Sequence, residues 1–159
     1  MFTASELFDL AVRVEENGER FYRSALEKTG PGVLKDLLAW LAEQEVEHKS
    51  TFARIREALA GQPEQDPALL SLGRDVLQSA MGRHAFSLDE LEIDSLREED
   101  EILRAALVFE EDTLLFFEFI SPFVSNRGVR TMLDRIMAEE VNHKQILLER
   151  ISQIKTCPA

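Results

Sequence analysis

The amino-acid sequence predicts an all-α protein, a four-helix bundle built from two antiparallel helical hairpins. Three observations predict it: four long segments place apolar residues at helical spacing, short turns join these segments in pairs, and the two pairs repeat one residue pattern. The 159 residues suffice for one domain with a hydrophobic core and are too few for two ordinary ones. We therefore expect a single domain over residues 1–159.

The first hairpin is expected over residues 3–60. Its first helix begins near Thr3, which can form a capping box with Glu6, and it ends at a Gly-Pro-Gly turn. Its second helix extends from about Val33 to Ala60, where glycine and proline follow.

The second hairpin is expected over residues 95–154. Its first helix begins near Ser95, which has a Ser-x-x-Glu relation to Glu98, and it ends at the Ser-Pro pair 121–122. Its second helix starts after Asn126, a residue type favoured at helix N-caps.

A long crossover, residues 61–94, is expected to join the hairpins. Asp66 followed by Pro67 resembles an N-cap and an N1 proline, which predicts a short helix from Pro67 to Met81. A long connection between the second and third helices is typical of one class of four-helix bundle.

Charge and cysteine content exclude several classes of function. The net charge of −12 argues against binding to nucleic acid or to an anionic membrane surface. Cys157 is alone, so the chain forms neither an internal disulfide nor a four-thiolate metal site, and we expect it in a frayed tail. With no apparent signal peptide and no apolar run long enough to span a bilayer, a cytoplasmic location is expected.

The two hairpins repeat one pattern of acids and histidines. Shifting the chain by 95 residues superimposes the following pairs: Glu15 on Glu110, Glu45 on Glu140, and His48 on His143. A helix turns about 100° per residue, so each Glu-x-x-His places both side chains on one face. Each of these glutamates also lies in the middle of an apolar stripe, which must face the interior of the bundle.

Several buried carboxylates would cost several kcal/mol per ion through lost hydration and mutual repulsion. Two remedies are open: the acids stay protonated, or cations lie among them. Four glutamates and two histidines fit the second remedy, since four carboxylates balance two divalent ions. Oxygen-rich ligands with one imidazole per metal favour iron or manganese over structural zinc. The alternative is a bundle that keeps these residues as hydrogen-bonded polar pairs.

Four segments carry a resemblance to a known family: "AVRVEENGERFYRSAL", "AEQEVEHKSTF", "ALVFEEDTLLFFE" and "AEEVNHKQILL". They resemble the four helices of the rubrerythrin-like branch of the ferritin-like di-iron carboxylate family, over essentially the whole chain. The resemblance implies a ferritin-like fold and two iron ions, with manganese or zinc as other occupants. It also implies that Glu45 and Glu140 bridge the ions, that Tyr22 approaches them, and that the terminal ligands are Glu15, His48, Glu110 and His143.

Two features depart from that family. Full rubrerythrins add a four-cysteine rubredoxin module, whereas this chain has one cysteine, so we expect a separate electron-donor protein. They also carry a further glutamate where this chain has Thr113, which leaves open a more bacterioferritin-like ligand set. Glu19 is a candidate replacement carboxylate, although we expect it to be exposed.

The resemblance implies an oxidoreductase that reduces peroxide or dioxygen, or a ferroxidase. The alternatives are a di-iron hydroxylase of the quinone-modifying type and a non-enzymatic iron-binding or interaction bundle. His84 and the acids beside the candidate ligands are expected to be solvated; these acids are Glu16, Glu47, Glu111 and Glu139.

The third helix is apolar nearly all round, which favours a homodimer. In particular, four of its side chains are expected to point away from Glu110 and to need a second cover: Leu115, Phe116, Phe119 and Phe123. The crossover could also supply that cover, and a membrane-facing patch is a further alternative.

Overall fold

The computed structural model describes residues 4–61 and 95–156. These residues form four long helices and one short 3₁₀ helix, Ser121–Phe123; the long helices are α1 (Ala4–Glu27), α2 (Val33–Leu59), α3 (Glu99–Ile120) and α4 (Arg127–Thr156). The predicted all-α four-helix bundle is confirmed. The cap at Thr3, the short helix at 67–81, His84 and Cys157 lie outside the described residues, and the single-domain assignment stays a prediction.

The turn between α1 and α2 depends on a glycine. Gly32, the residue before α2, has a φ of 146°, a backbone conformation that side-chain-bearing residues rarely adopt. After α2, the Ala60 N–H donates to the carbonyls of Arg56 and Glu57, and Gly61 follows with a φ of 84°. Glycine at both ends of α2 therefore lets the chain enter and leave the helix without backbone strain.

Helix α3 begins at Glu99, later than the start predicted near Ser95. The capping box forms one turn further along the chain, between Glu98 and Glu101, instead of between Ser95 and Glu98. The Glu101 carboxylate accepts from the N–H groups of Arg97 and Glu98 at 2.9 and 3.2 Å, which satisfies two backbone donors that precede the helix.

The N-cap of α4 is the residue that the sequence predicts. Asn126 Oδ1 accepts a hydrogen bond from the Val129 N–H at 3.1 Å. The helix continues to Thr156, slightly beyond the predicted end near Ile154. Its inward face carries five buried apolar side chains around the two candidate ligands: Val129, Leu133, Ile136, Leu147 and Ile151.

Ring contacts show how the two hairpins are oriented. Phe52 on α2 lies 5.8 Å from Phe8 on α1 and 5.1 Å from Phe117 on α3, measured between ring centroids. Both Phe52 and Phe117 lie seven residues after a candidate ligand of their own helix, Glu45 or Glu110. Helices α2 and α3 therefore run in the same direction, as a long crossover requires, and the aromatic cluster closes one end of the polar site.

The outer side of α3 differs in part from the sequence-based expectation. Phe116 does not need a second cover, because it is 2% exposed and belongs to the hydrophobic core. Its ring lies 5.7 Å from that of Phe117, measured between centroids. Phe119 and Phe123 are half-buried and contact each other at 5.8 Å. Leu115, at 48% exposed, is the member of the set that faces outward.

Within residues 4–61 and 95–156, no helix combines the length and the apolar character that crossing a membrane requires.

Candidate metal centre

The six predicted ligands meet in the middle of the bundle. Every helix contributes: α1 provides one glutamate, α3 provides another, and α2 and α4 each provide a Glu-x-x-His pair. All six side chains are at most 3% exposed; they are Glu15, Glu45, His48, Glu110, Glu140 and His143. The structure thus brings together all the residues that the repeat singles out.

These six residues form two overlapping groups. In each group, one ligand atom from every member lies within 4.8 Å of the others: Glu15, Glu45, His48 and Glu140 in one, and Glu45, Glu110, Glu140 and His143 in the other. Glu45 and Glu140 belong to both groups. A shift of 95 residues converts one group into the other, so the repeat in sequence becomes an approximate twofold symmetry of the site.

Most carboxylate oxygens of the candidate ligands lack the hydrogen bonds that buried polar groups normally make. Both carboxylate oxygens of Glu15 and of Glu45 have no hydrogen-bond partner, and neither do Glu110 Oε2 and Glu140 Oε1. Buried polar atoms are almost always paired, and unpaired ones require an explanation such as an ion. Unsatisfied oxygens that face one another across a buried space are the donor set of a hard or borderline cation.

The histidine nitrogens support the same conclusion. His48 Nδ1 lies 2.7 Å from Glu140 Oε1 and 3.8 Å from Glu15 Oε1, yet it has no partner in hydrogen-bonding geometry. His143 Nδ1 forms a hydrogen bond with Glu140 Oε2 at 2.9 Å and lies 3.8 Å from Glu110 Oε1. Both Nδ1 atoms therefore face the carboxylates, and the residues present fit a metal-binding site.

Burial controls the protonation of the glutamates when no cation compensates them. It raises the pKa of Glu15 from 4.5 to about 7 and that of Glu110 to about 8, and the charge of Glu140 acts in the same direction. Burial, together with Glu15, also raises the pKa of Glu45 well above its usual value. A cation must therefore displace protons to bind here.

The histidines respond in the opposite sense. Burial alone would lower the pKa of His48 and His143, but the adjacent carboxylates outweigh it and raise these values to about 9 and about 10. Glu140 lies between both rings, so its pKa falls far below the usual value although burial opposes this. Without metal, the charge of the site is thus balanced by protons on the histidines and on several glutamates.

Tyr22 lies at the site, as the resemblance implies. Its hydroxyl donates a hydrogen bond to Glu110 Oε1, and its ring packs edge-on against Phe109 with centroids 6.4 Å apart. Burial and the charges of Glu110 and Glu45 raise the pKa of Tyr22 well above its usual value, so the phenol stays protonated. It therefore fixes the orientation of the Glu110 carboxylate.

Glu139 is not merely a solvated charge, which corrects the expectation from its sequence position. Its Oε2 lies 2.8 Å from His48 Nε2, and its Oε1 accepts from Arg135 at 3.2 Å. Its side chain is 38% exposed. Partial burial would raise the pKa of Glu139, but His48 and Arg135 lower it overall. A carboxylate on the outer nitrogen of His48 fixes the tautomer that leaves Nδ1 free to bind a metal.

Trp40 covers the other histidine, and the sequence-based reasoning missed it. Its ring lies 5.2 Å from that of His143 at an interplanar angle of 81°, while the residue is 36% exposed. The sequence carried one usable signal: Trp40 lies eight residues before His48, on the candidate ligand helix. Its contact with the opposite hairpin is visible only in three dimensions.

The remaining acids lie outside the cluster. Glu19, weighed as an extra carboxylate, is 19% exposed and pairs with Lys49 at 2.6 Å and Arg23 at 2.8 Å, which lowers its pKa. Three of the four acids expected to be solvated are exposed: Glu16, Glu47 and Glu111. Neither group of converging ligand atoms includes any of them.

Comparisons with known proteins agree with the fold. The model of the Rubrerythrin family matches residues 6–73. The crystal structure of a Thermotoga maritima protein, described as a candidate ferritin-like diiron-carboxylate protein, is similar with a TM-score of 0.68 and 21% sequence identity, and the similarity covers 95% of each chain. A search of curated proteins gives no significant match.

Fold and site together define a ferritin-like bundle with a metal-binding site of carboxylates and histidines. The match to the family model over residues 6–73 and the structural similarity support the resemblance to the rubrerythrin-like branch of the ferritin-like family.

Proposed function

We propose that the protein binds two iron ions, one in each group of ligands, and uses them to reduce hydrogen peroxide. In this proposal Glu45 and Glu140 would help to hold both ions, because each of them belongs to both groups. The other four residues would each help to hold one ion: Glu15, His48, Glu110 and His143. The observation that carries the proposal is the set of buried carboxylate oxygens without hydrogen-bond partners.

Charge supports a pair of divalent ions. Four ionised glutamates carry −4, which two divalent cations cancel, so the loaded site is neutral in a water-poor interior. Two ferrous ions would supply the two electrons that, with two protons, convert one hydrogen peroxide into two waters. The imidazoles favour iron or manganese over a purely oxygen-binding cation.

The protein's own residues would hold and shield this centre. The phenylalanine cluster (Phe8, Phe52, Phe117) excludes water at one end of the site. Tyr22 orients Glu110, and Glu139 orients His48. Residues whose conformations are fixed before the metal binds reduce the reorganisation that the reaction requires.

Electrons must reach the centre from outside the described residues in this proposal. The sequence has one cysteine, so these 159 residues supply no thiolate cluster to relay them. We therefore assign the electrons to a separate donor protein. A homodimer remains our expectation for the assembly.

The test is metal analysis of protein purified without oxygen and supplied with ferrous iron, followed by peroxide under optical observation. We expect two irons per chain and oxidation of both by one equivalent of peroxide. Glu15→Gln should reduce the iron content, whereas the matched control Glu16→Gln, on the next and exposed residue, should not. A wild-type protein that stays free of iron contradicts the proposal.

Turnover separates peroxide reduction from the alternatives. With an artificial reductant in excess, a peroxidase consumes many equivalents of peroxide per chain, whereas a ferroxidase consumes oxidant only in proportion to the ferrous iron added. A bundle with a purely structural role binds iron without either reaction. We expect repeated turnover with peroxide.

A further inference from the structure

Thr113 carries a buried hydroxyl without a partner. The residue is 0% exposed, and its Oγ1 has no hydrogen-bond partner. A hydroxyl offers one donor and two acceptor sites, and leaving all of them unused in the interior is unfavourable. Valine has nearly the same shape and would avoid this cost. The hydroxyl therefore requires an explanation other than packing.

The other described threonines, three within helices and Thr29 just after α1, use their hydroxyls as helical threonines usually do. Each donates its hydroxyl to the backbone carbonyl four residues earlier, at 2.7 to 3.3 Å; they are Thr29, Thr51, Thr131 and Thr156. Thr113 lies inside α3, where the carbonyl of residue 109 offers the same bond, yet it does not form it. Its hydroxyl is therefore free to bond with something other than its own helix.

The position of Thr113 places it beside the metal centre. It follows Glu110 by three residues and so lies on the same face of α3. The 95-residue repeat pairs it with Gly18, which has the same relation to Glu15. A Cβ built on Gly18 would lie 2.7 Å from Glu45 Oε2, so position 18 borders a shared carboxylate. By the approximate symmetry of the site, we infer that position 113 borders the other shared carboxylate, that of Glu140.

The two related positions differ in what they offer a small molecule. Next to Gly18 there is no free volume, because the Phe109 ring would lie 2.7 Å from an added Cβ. Position 18 therefore presents only backbone and an aromatic ring. Position 113 presents the one hydrogen-bonding side chain of the pair.

We propose that the Thr113 hydroxyl donates a hydrogen bond to a small oxygen- or nitrogen-donor ligand that binds at the metal centre, hydrogen peroxide being the substrate and azide a suitable probe. This deepens the proposed function and rests on it, since the ligand binds where the metal ions bind. It assigns Thr113 to substrate binding, while holding the metal is left to the six ligands.

The test compares Thr113→Val, which keeps the shape, with Thr113→Ser, which keeps the hydroxyl. Azide binding to iron-loaded protein is measured by optical titration. We expect Thr113→Val to weaken it about tenfold or more, because a hydrogen bond to an anion is lost. Thr113→Ser should stay within about threefold of wild type on the same scale. Iron content should be unchanged in both variants, and Thr51→Val is the control on an exposed helical threonine.

A second measurement needs no metal and no activity. Removing an unpaired buried hydroxyl should raise the thermal midpoint of metal-free protein by about 2–4 °C in Thr113→Val. Thr51→Val should give no such rise, because the Thr51 hydroxyl has a backbone partner. An increase in stability together with a loss of azide affinity is the combination that a purely structural threonine does not produce.

The possible failures are distinguishable. A wild-type protein that does not bind iron contradicts the proposed function itself. Iron-loaded Thr113→Val with wild-type azide affinity contradicts only the assignment of Thr113, as would a wild-type centre that does not bind azide. A metal-free Thr113→Val that is less stable than wild type shows that the hydroxyl has an internal partner, which also overturns the proposal.

Discussion

The two halves of the metal centre have the same inner residues and different surroundings. In the half that contains His48, the outer ring nitrogen faces the carboxylate of Glu139, which itself pairs with Arg135. In the half that contains His143, an indole, that of Trp40, packs edge-on against the ring. Among the described residues, the carboxylates within 4.0 Å of His143 are those of Glu110 and Glu140, both through Nδ1.

The repeat shows how this difference arose within one plan. The 95-residue shift preserves all six candidate ligands but replaces four residues near them: Gln44 by Glu139, Trp40 by Arg135, Gly18 by Thr113, and Tyr22 by Phe117. Ligand type determines which ions fit, and the outer groups determine how strongly and in what order they bind. We therefore expect two metal positions of like coordination and unlike affinity.

The largest effect should come from a ligand that both halves share. Glu45→Ala removes oxygens that belong to both groups, so we expect fewer than one iron per chain, measured by elemental analysis of anaerobic protein. His143→Ala removes a ligand of one group only, so about one iron should remain in that variant.

The control for this comparison is Glu47→Ala, an exposed acid on the same helix, which should keep both irons. Circular dichroism should show that the variants remain helical. Two irons in Glu45→Ala, or none in His143→Ala, would contradict the shared-ligand arrangement.

The next effect is pH dependence of the metal-free protein. Folding raises the pKa of Glu15 to about 7 and of Glu110 to about 8, and that of His48 to about 9 and of His143 to about 10. The folded state therefore binds more protons than the unfolded state above pH 4.5, and its stability falls as pH rises through these values. Glu140, with its lowered pKa, has the opposite sign but acts only in acid.

We expect the thermal midpoint of metal-free protein to fall on the order of 10 °C between pH 6 and pH 9, measured by calorimetry. Metal binding displaces the same protons, so affinity for ferrous iron should rise at least about tenfold per pH unit over this range. A metal-free midpoint that rises with pH would show that the buried acids are not protonated.

The fold and the inner site were largely predictable from the sequence because both follow from periodicity. Glu45 and His48 share a helix face at a spacing of three, and the apolar stripe around them faces the core. The start of α3 was less predictable, because Ser95 and Glu98 offer competing caps within one turn. The prediction that Phe116 needs a further cover was wrong, because the positions of residues around one helix do not show which side chains of other elements pack against them.

The groups around the site were not predictable in the same way. Glu139 immediately precedes Glu140 in α4. Because a helix turns about 100° per residue, the sequence predicts that the Glu139 side chain points away from the centre of the site. It nevertheless contacts His48 because the imidazole crosses from α2 to α4 and presents its outer nitrogen there. Contacts of this kind depend on the relative placement of two helices, which no single-helix pattern encodes.

A moderate effect is expected when the outer partner of His48 is changed. Glu139→Gln keeps the size of the side chain and removes the charge that fixes the tautomer of His48. We expect the affinity of one of the two metal positions to fall about 10- to 100-fold, and that of the other to change little. Calorimetry during stepwise titration with ferrous iron under nitrogen resolves the binding constants of the two metal positions.

The matched control is Glu111→Gln, a half-exposed acid that lies 3.7 Å from Lys144 and outside both ligand groups. It should leave both constants unchanged. Equal losses at both positions in Glu139→Gln would show that the halves are coupled so strongly that their surroundings do not distinguish them.

The smallest expected effect is a spectroscopic change that reports on the other half alone. Trp40 is the one tryptophan of the chain, and its ring lies 5.2 Å from that of His143. Iron bound by His143 should quench the Trp40 fluorescence, since quenching by a transition metal falls steeply with distance.

If the half that contains Glu139 binds first, the first equivalent of iron should quench less than the second. In Glu139→Gln that order should be lost or reversed, because the His48 position is then the weaker one. Equal quenching by both equivalents in wild type and variant would mean that the two positions fill together, and the asymmetry of their surroundings would then have no consequence for metal binding.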